Sequence, residues 1–386
     1  MLIDKYKGLK EDQRAIVETT SQFANDNIAP NSLKWDRECF FPKNILKKAG
    51  ELGLAGIYVS EKDGGLGLSR LDASLIFEEL AYACPSTSAF ISIHNMAAWM
   101  LSKFGTQELK SKYMSKIITM DNIASYCLTE AGSGSDAAAM KTKAINFKDN
   151  ISYQINGSKA FISGAGESDL YFVMMKTENN MNEDISCILL EKEYEGISFG
   201  KNEHKMGWKN QPTRAISFDN CIAPKSNLVG KEGDGFKIAM QGLDGGRINI
   251  ASCSLGAARF CIEKSINYVN ERKQFGKYLK DFQSIQFKLA DMITDYEAAK
   301  LMVHKAANAI DKQEQNSTVM SAMAKKHATD VCFQICNEAL QIHGGYGYLA
   351  DFGIEKMVRD CRVHQILEGT NEIMRVIISR KLLERD

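Results

Sequence analysis

Apolar and polar residues alternate along this chain with two different periods, and the period changes twice. From the start to about residue 120 the apolar positions recur every three to four residues, the spacing of one helix face. This predicts helices from Gln13 to Ile28, ending before Pro30, and from Leu71 to Ala83, ending before Pro85. Two more follow, Ala89 to Phe104 and Glu108 to Thr119, and a turn-rich loop, Glu61-Lys62-Asp63-Gly64-Gly65-Leu66-Gly67, lies among them. From about Asp121 to Gly230 the pattern becomes short runs of β-branched and aromatic residues. Strands are predicted for Ile123 to Thr129, Ser152 to Ile155, Lys159 to Ser163, Leu170 to Lys176, Ser186 to Glu191 and Arg214 to Phe218, with a two-residue hairpin at Asn156-Gly157. No helical stretches alternate with them, which predicts an antiparallel β domain and not a βαβ dinucleotide fold.

After Gly235 the helical period returns in the longest stretches of the chain. In Gln283 to Lys312 the residues Ile285, Leu289, Met292, Tyr296, Ala299, Val303, Ala306 and Ile310 trace one stripe. Ala328, Val331, Cys332, Ile335, Cys336, Ala339 and Ile342 trace another. With a helix after Gly246 and a C-terminal one from about Asn371, these predict a four-helix bundle. The C-terminal helix carries Ile373, Met374, Val376, Ile377, Ile378, Leu382 and Leu383 at spacings of three and four, with Arg375, Arg380, Lys381 and Arg385 elsewhere. The fold class is therefore α+β in three units: an all-helical domain over 1–120, an antiparallel β domain over 121–230 and a helical bundle over 231–386.

Composition narrows the partners. The 386 residues are 44% hydrophobic and 25% charged, ordinary for a soluble protein with a large core. Lys plus Arg equals Asp plus Glu, 48 against 48, so no net field draws the chain to nucleic acid or anionic lipid. Ten cysteines stand singly and no C-x-x-C occurs, which fits a reducing compartment. The six histidines include no i, i+4 pair, which predicts no metal site. No apolar run of about 18 residues and no cleavable leader is visible. Those features fit a cytoplasmic protein if the source is bacterial, a mitochondrial-matrix protein if it is eukaryotic, and no membrane span.

Four patches carry candidate chemistry. Glu368 stands between Ile366 and Leu367 on one side and Gly369 on the other, just before a helix capped by Thr370 with Glu372 in its first turn. A carboxylate there can enter an apolar pocket, where desolvation raises its pKa toward that of a working base; the alternative is a surface acid. Tyr126-Cys127-Leu128-Thr129-Glu130-Ala131-Gly132-Ser133-Gly134-Ser135-Asp136 leaves a strand with exposed N–H groups and hydroxyls, suited to a phosphate or a flavin edge, or else a plain loop. Glu271-Arg272-Lys273-Gln274-Phe275-Gly276 sets an Arg three residues before an aromatic, able to pair a phosphate and stack an adenine, or else only to end a helix. Gln341-Ile342-His343-Gly344-Gly345-Tyr346-Gly347-Tyr348 ends a helix with backbone open to a flat ring.

Taken together, YCLTEAGSGSD, AFISGAGESD, ERKQFG, QIHGGYGY and HQILEGTNE resemble, in order and spacing, the acyl-CoA dehydrogenase flavoenzymes over essentially the whole chain. The resemblance implies FAD held by Tyr126, Cys127, Leu128, Thr129, Glu130, Gly132, Ser133, Gly134 and Ser135, and by Phe161, Ile162 and Ser163. It implies that Arg272, Phe275, Phe282, Gln283, Gln341, Ile342, His343, Gly344 and Gly345 reach FAD from a neighbouring subunit of a homotetramer, and that Thr370, Asn371 and Glu372 meet the pyrophosphate. Substrate is expected at Ser135, Asp244, Gly245, Gly246, Arg247 and Arg380. Some members carry the base just before the arginine matching Arg247; Gly246 fills that slot here, which leaves Glu368. The usual Pro is Ala131 in this chain, implying a modest loss of flavin affinity at most. The implied reaction is α,β-dehydrogenation of a short, branched acyl-CoA, with Glu368 taking the α-proton and electron-transfer flavoprotein as acceptor. A short-chain or 2-methylbutyryl-CoA dehydrogenase is the near alternative, and a non-catalytic relative and an oxygen-using oxidase are the more distant ones.

Overall fold

Helical periodicity builds the first layer. In the computed structural model, which describes residues 5–148, 150–179 and 182–383, this layer comprises α1 (Glu11–Phe23), α2 (Ser32–Glu38), α3 (Lys43–Glu51), α4 (Arg70–Ala83), α5 (Pro85–Phe104) and α6 (Gln107–Ile118). The predicted first helix changes to a π-turn over Ala24–Ile28. α5 starts at Pro85, earlier than Ala89, because proline is harmless in a first helical turn, where no intrahelical N–H bond is lost. Ser69 caps α4, its Oγ accepting from the Asp72 N–H at 3.0 Å while the Asp72 carboxylate accepts from the Ser69 N–H at 3.2 Å.

The central sheet contains β1 (Ala124–Cys127), β2 (Lys143–Phe147), β3 (Ser152–Ser163), β4 (Leu170–Asn179), β5 (Asn182–Glu191), β6 (Ile197–Phe199), β7 (Thr213–Pro224) and β8 (Leu228–Val229). The order is β6-β7-β3-β2-β4-β5-β8, with β1 also on β4. Most pairings are antiparallel as expected, but β1 and β2 each run parallel to β4, so the sheet is mixed. The hairpin expected at Asn156-Gly157 does not form. β3 runs straight through, with a register shift against β7 between Ile155 and Gly157. Gly157 is needed for closeness: an added Cβ would lie 2.6 Å from Thr142 Cα.

The last unit is built on α7 (Gly235–Glu271), α8 (Gln283–Asp311) and α9 (Ser317–His343), followed by α10 (Gly345–Tyr348), α11 (Ile354–His364) and α12 (Asn371–Leu383). α7 begins at Gly235, well before the position after Gly246 expected from the sequence, and passes through Gly245 and Gly246 without a break. The stripes expected on α8 and α9 are the faces that pack: Met292, Tyr296, Ala299 and Val303 meet Ala328, Cys332, Cys336 and Ala339 in one buried cluster with α7. A buried ionic link joins this bundle to the N-terminal layer. Arg259 of α7 donates to Glu78 at 3.2 Å and Glu79 at 2.6 Å on α4, and Tyr296 Oη of α8 donates to Glu78 at 2.6 Å. Burial alone would raise the Glu78 carboxyl, but Lys300 and Arg259 hold it down at about 2.

α12 departs from its expected packing. Of its apolar residues only Met374 is buried, while Val376, Leu382 and Leu383 are exposed, so that face is uncovered within one chain. Arg385 lies outside the described residues.

Candidate active site

The chain bends sharply between α11 and α12 through two consecutive left-handed residues, Glu368 at φ +56° and Gly369 at φ +85°. For a residue with a Cβ this costs roughly 1–2 kcal/mol, so surrounding contacts must enforce it. They come from two bundle helices. Arg247 Nε of α7 donates to the Glu368 carbonyl at 3.3 Å, and Lys325 Nζ of α9 donates to the Gly369 carbonyl at 2.8 Å. Lys325 also donates to Asn371 Oδ1 at 2.9 Å. Asn371 Nδ2 in turn donates to Thr329 Oγ1 at 3.0 Å and Asp330 Oδ1 at 2.7 Å.

The bend drives the Glu368 side chain inward, where Oε2 is buried without a hydrogen-bond partner. Burial pushes the carboxyl up to about 7, against the opposing pull of Arg247 and Lys325. Gly246 makes the room: a Cβ there would sit 2.4 Å from Glu368 Oε2. A Cβ on Gly245 would sit 2.5 Å from Nη1 of Arg70, whose guanidinium stacks 3.5 Å over the Tyr58 ring. Asn249 Nδ2 donates to Tyr58 Oη at 3.2 Å. Tyr126 Oη and Asn249 Oδ1 are also buried without partners. Both tyrosines are pushed upward chiefly by burial, with the Glu368 charge adding to it. Buried polar atoms of this kind are ordinarily satisfied, so a cluster of them beside an ionisable carboxyl marks a place for a ligand.

The loop leaving β1 is held by its own residues. Glu130 accepts from Lys159 Nζ at 2.9 Å and from the N–H groups of Lys141 and Thr142 at 2.7 and 3.0 Å. Ser133 Oγ donates to the Asp136 carbonyl at 2.6 Å, and Cys127 and Leu128 are buried. Their side chains are thus structural, whereas Cβ atoms on Gly132 and Gly134 would meet nothing within 4 Å. β3 adds its bulge here: Ala160 N–H donates to the Thr129 carbonyl at 2.8 Å, and Phe161, at φ +57°, turns outward with 68% of its surface exposed. Ile162 is buried and Ser163 half-buried. Ser135 and Phe161 are exposed, and Thr129 is half-buried like Ser163.

A second group gathers elsewhere. Arg272, Gln274, Ile342, His343, Gly344 and Gly345 line a cavity of about 510 Å³. His343 stacks on Tyr268 at 4.4 Å, and Phe275 tips a tight hairpin with 92% exposure, its ring 6.3 Å from Phe282, which precedes Gln283 at the start of α8. His343 lies eighteen residues beyond Lys325 on α9, roughly 27 Å along the axis at 1.5 Å per residue. In one chain, therefore, this cavity does not join the Glu368 pocket. Thr370 Oγ1 accepts from the Ile373 N–H at 3.3 Å as the cap of α12, and Glu372 is exposed beside Arg375. Arg247 Nη1 donates to Asp244 Oδ1 at 2.6 Å, and Thr318 Oγ1 to Asp244 Oδ2 at 2.7 Å. Arg380 is exposed near the far end of α12, nine residues past Asn371, which is roughly 14 Å along the helix. The sequence reading missed Tyr58, Arg70, Asn249 and Lys325. Lys325 had a signal, a charge on the apolar stripe of α9 beside Ser321, Ala324 and Ala328. Among the described residues no cluster of His, Cys, Asp or Glu suits a metal, and no helix is long and apolar enough to cross a membrane.

Two helical units flank a sheet, and between α11 and α12 lies a carboxyl with a buried, unpartnered oxygen whose pKa is pushed up to about 7. Comparison with known proteins gives the family. Residues 10–121, 125–221 and 233–383 match the N-terminal, middle and C-terminal domains of acyl-CoA dehydrogenase, and the chain belongs to that family. Within it, the chain is similar to the mitochondrial isobutyryl-CoA dehydrogenase of Bos taurus, 50% identical over 99% of this chain and 91% of that protein. A chain from the structure of the electron transferring flavoprotein of Acidaminococcus fermentans superimposes with a TM-score of 0.94 at 39% identity, covering 99% and 100% of the two chains. An acyl-CoA dehydrogenase of Bacillus anthracis complexed with FAD gives a TM-score of 0.91 at 31% identity, covering 99% of this chain and 68% of that one.

Proposed function

We propose that this protein catalyses the α,β-dehydrogenation of a short, branched acyl-CoA, isobutyryl-CoA to methacrylyl-CoA, with Glu368 as base. The observation that carries the reading is the buried, unpartnered Glu368 Oε2 opposite Gly246, with Arg247 at the turn. The residues present fit FAD: the exposed Gly132, Gly134 and Phe161 and the half-buried Ser163 suit a flat ring system, and the start of α12 suits its pyrophosphate. When bound, FAD supplies the hydride acceptor. Glu368 takes the α-proton, and its own backbone N–H polarises the thioester carbonyl, acidifying that proton where charge develops. Asp244 and Arg247 hold the thioester arm. Electron-transfer flavoprotein is the proposed acceptor, in keeping with the Acidaminococcus likeness.

The test of the substrate class is kcat/KM over a panel of acyl-CoA esters with electron-transfer flavoprotein or a dye. Isobutyryl-CoA is expected to be best, with butyryl-CoA and 2-methylbutyryl-CoA slower and octanoyl-CoA essentially excluded. One methylene in an apolar pocket is worth only about 1–3 kcal/mol, or roughly 10–200-fold, so the nearer esters stay measurable. Butyryl-CoA exceeding isobutyryl-CoA would remove the branched substrate while leaving the reaction class.

The assembly follows from the distance between the two cavities. In the proposed homotetramer, Arg272, Phe275 and the 341–345 turn of one subunit complete the FAD site of its neighbour, which also explains the 92% exposure of Phe275 and the bare face of α12. Removing a charge-assisted phosphate contact costs about 1.5–3 kcal/mol. Arg272→Ala should thus purify partly flavin-free and dissociate more readily on dilution, as read by the 450-nm-region absorbance and sedimentation. A fully loaded tetramer of unchanged stability would contradict the shared site.

A further inference from the structure

Lys325 is wholly buried, yet no carboxylate oxygen lies within ion-pair distance of it among the described residues. Its hydrogen-bond partners are neutral: the Gly369 carbonyl at 2.8 Å and the Asn371 amide oxygen at 2.9 Å. Burying an ammonium against neutral acceptors is unfavourable unless a charge nearby repays it, and burial brings this one down to about 7. The opposing influence is Glu368, the first of the groups that favour its charged form. Both carbonyls of the strained Glu368-Gly369 turn are thus held by cations from different helices, Arg247 on the first and Lys325 on the second. Lengthened contact on either side would let a left-handed glutamate relax toward an ordinary conformation and swing its carboxyl away.

Resting on the reading of Glu368 as base, we infer that Lys325 is a positioning residue with two separable parts: its N–H groups fix the turn that aims the carboxyl, and its ammonium, seated on the carbonyl of the next residue, favours the carboxylate form of Glu368. The charged and titratable groups facing the pair are few. Arg247 from α7, Tyr126 from β1 and Tyr58 from the loop before α4 act on or with Glu368, while Arg247, Asp330, Glu372 and the buried His364 of α11 face Lys325, and Asp244 is taken up by Arg247. The two near-neutral groups titrate as a pair, so the apparent values belong to both.

The sign follows directly. Removing the Lys325 charge removes a pull that lowers the Glu368 pKa, so the carboxyl ionises at higher pH and the acid limb of the rate profile moves upward. Lys325→Gln removes the charge and keeps an amide donor, one bond shorter in reach, for the Gly369 carbonyl. In the FAD-loaded protein its single-turnover flavin bleaching is expected to shift its acid limb up by about one pH unit, the scale of one neighbouring charge, with the rate recovering at high pH. Lys325→Met, lacking the donor as well, should remain slow at every pH, and Lys325→Arg should restore the limb. A readout that does not depend on turnover is the infrared band of the Glu368 carboxyl, identified by its loss in Glu368→Gln and titrated in the Lys325→Gln protein. An unmoved limb and unmoved carboxyl band in Lys325→Gln overturn the inference, as does a Lys325→Met protein with wild-type rates. Should Glu368→Gln itself keep turning over, the base assignment fails instead, and the two failures are distinct.

Discussion

Glu368→Gln is expected to retain the fold, the assembly and bound FAD and to lose turnover by on the order of 10²–10⁴-fold, the usual contribution of a positioned base. The substitution is close to isosteric, so the pocket bounded by Gly246 keeps its volume and no backbone contact of the turn is removed. What disappears is the only group there able to accept a carbon-bound proton. Tyr126 is pushed well above its usual range by burial, and Lys325 is directed at the Gly369 carbonyl and the Asn371 side-chain oxygen. The wild type carries its own control. With the carboxyl near 7, the base is protonated as the pH falls, so kcat/KM should decline below neutrality and level off above it. The variant's residual rate should lack that limb. Single-turnover bleaching against pH reads both effects, and retention of a tenth or more of the wild-type rate by Glu368→Gln would move the base elsewhere.

The helix entry that carries Glu368 was legible in the sequence, for reasons that also explain what was not. Glu368 could be placed because a cap residue, an acid in the first turn and a glycine mark a helix entry locally, and the same locality made the stripes of α8 and α9 readable. Asn156-Gly157 misled because a dipeptide signal for a turn says nothing of strand pairing; β7 continues alongside β3 there and Thr142 crowds the glycine from the other side. The first turns of α7 were hidden by Gly242, Gly245 and Gly246, which weaken helical propensity. Those glycines answer to distant partners: Met96 beside Gly242, Arg70 beside Gly245, Glu368 beside Gly246. Pairings across more than a hundred residues leave no local trace, and for that reason Tyr58, Arg70 and Asn249 went unread although each was in plain view. The apolar residues of α12 obeyed the periodicity and still remain exposed, because periodicity locates a face without saying which surface covers it.

Gly246→Ala separates stability from activity in one substitution. Within a helix, alanine is favoured over glycine by about 0.8–1.0 kcal/mol, so α7 itself should gain from the change. The new Cβ, however, would stand 2.4 Å from Oε2 and 2.9 Å from Cδ of Glu368, far inside contact distance. Something must shift, and the main chain of Glu368 is not free to do so, being clamped by Arg247 and Lys325. The carboxyl must therefore rotate out of its place. A misplacement of about 1 Å in a reacting group can lower rate by 10²-fold, and that is the loss expected in single-turnover flavin reduction. The melting temperature of the FAD-loaded protein should stay level or rise, since the clash falls on the far end of a side chain and not on backbone. Loss of activity with retained stability would show that Gly246 is present to leave space for the base, and that its cost to the helix is accepted for that reason. Wild-type turnover in Gly246→Ala would mean that the carboxyl has room to spare, and the close fit of Glu368 against α7 would then have no part in catalysis.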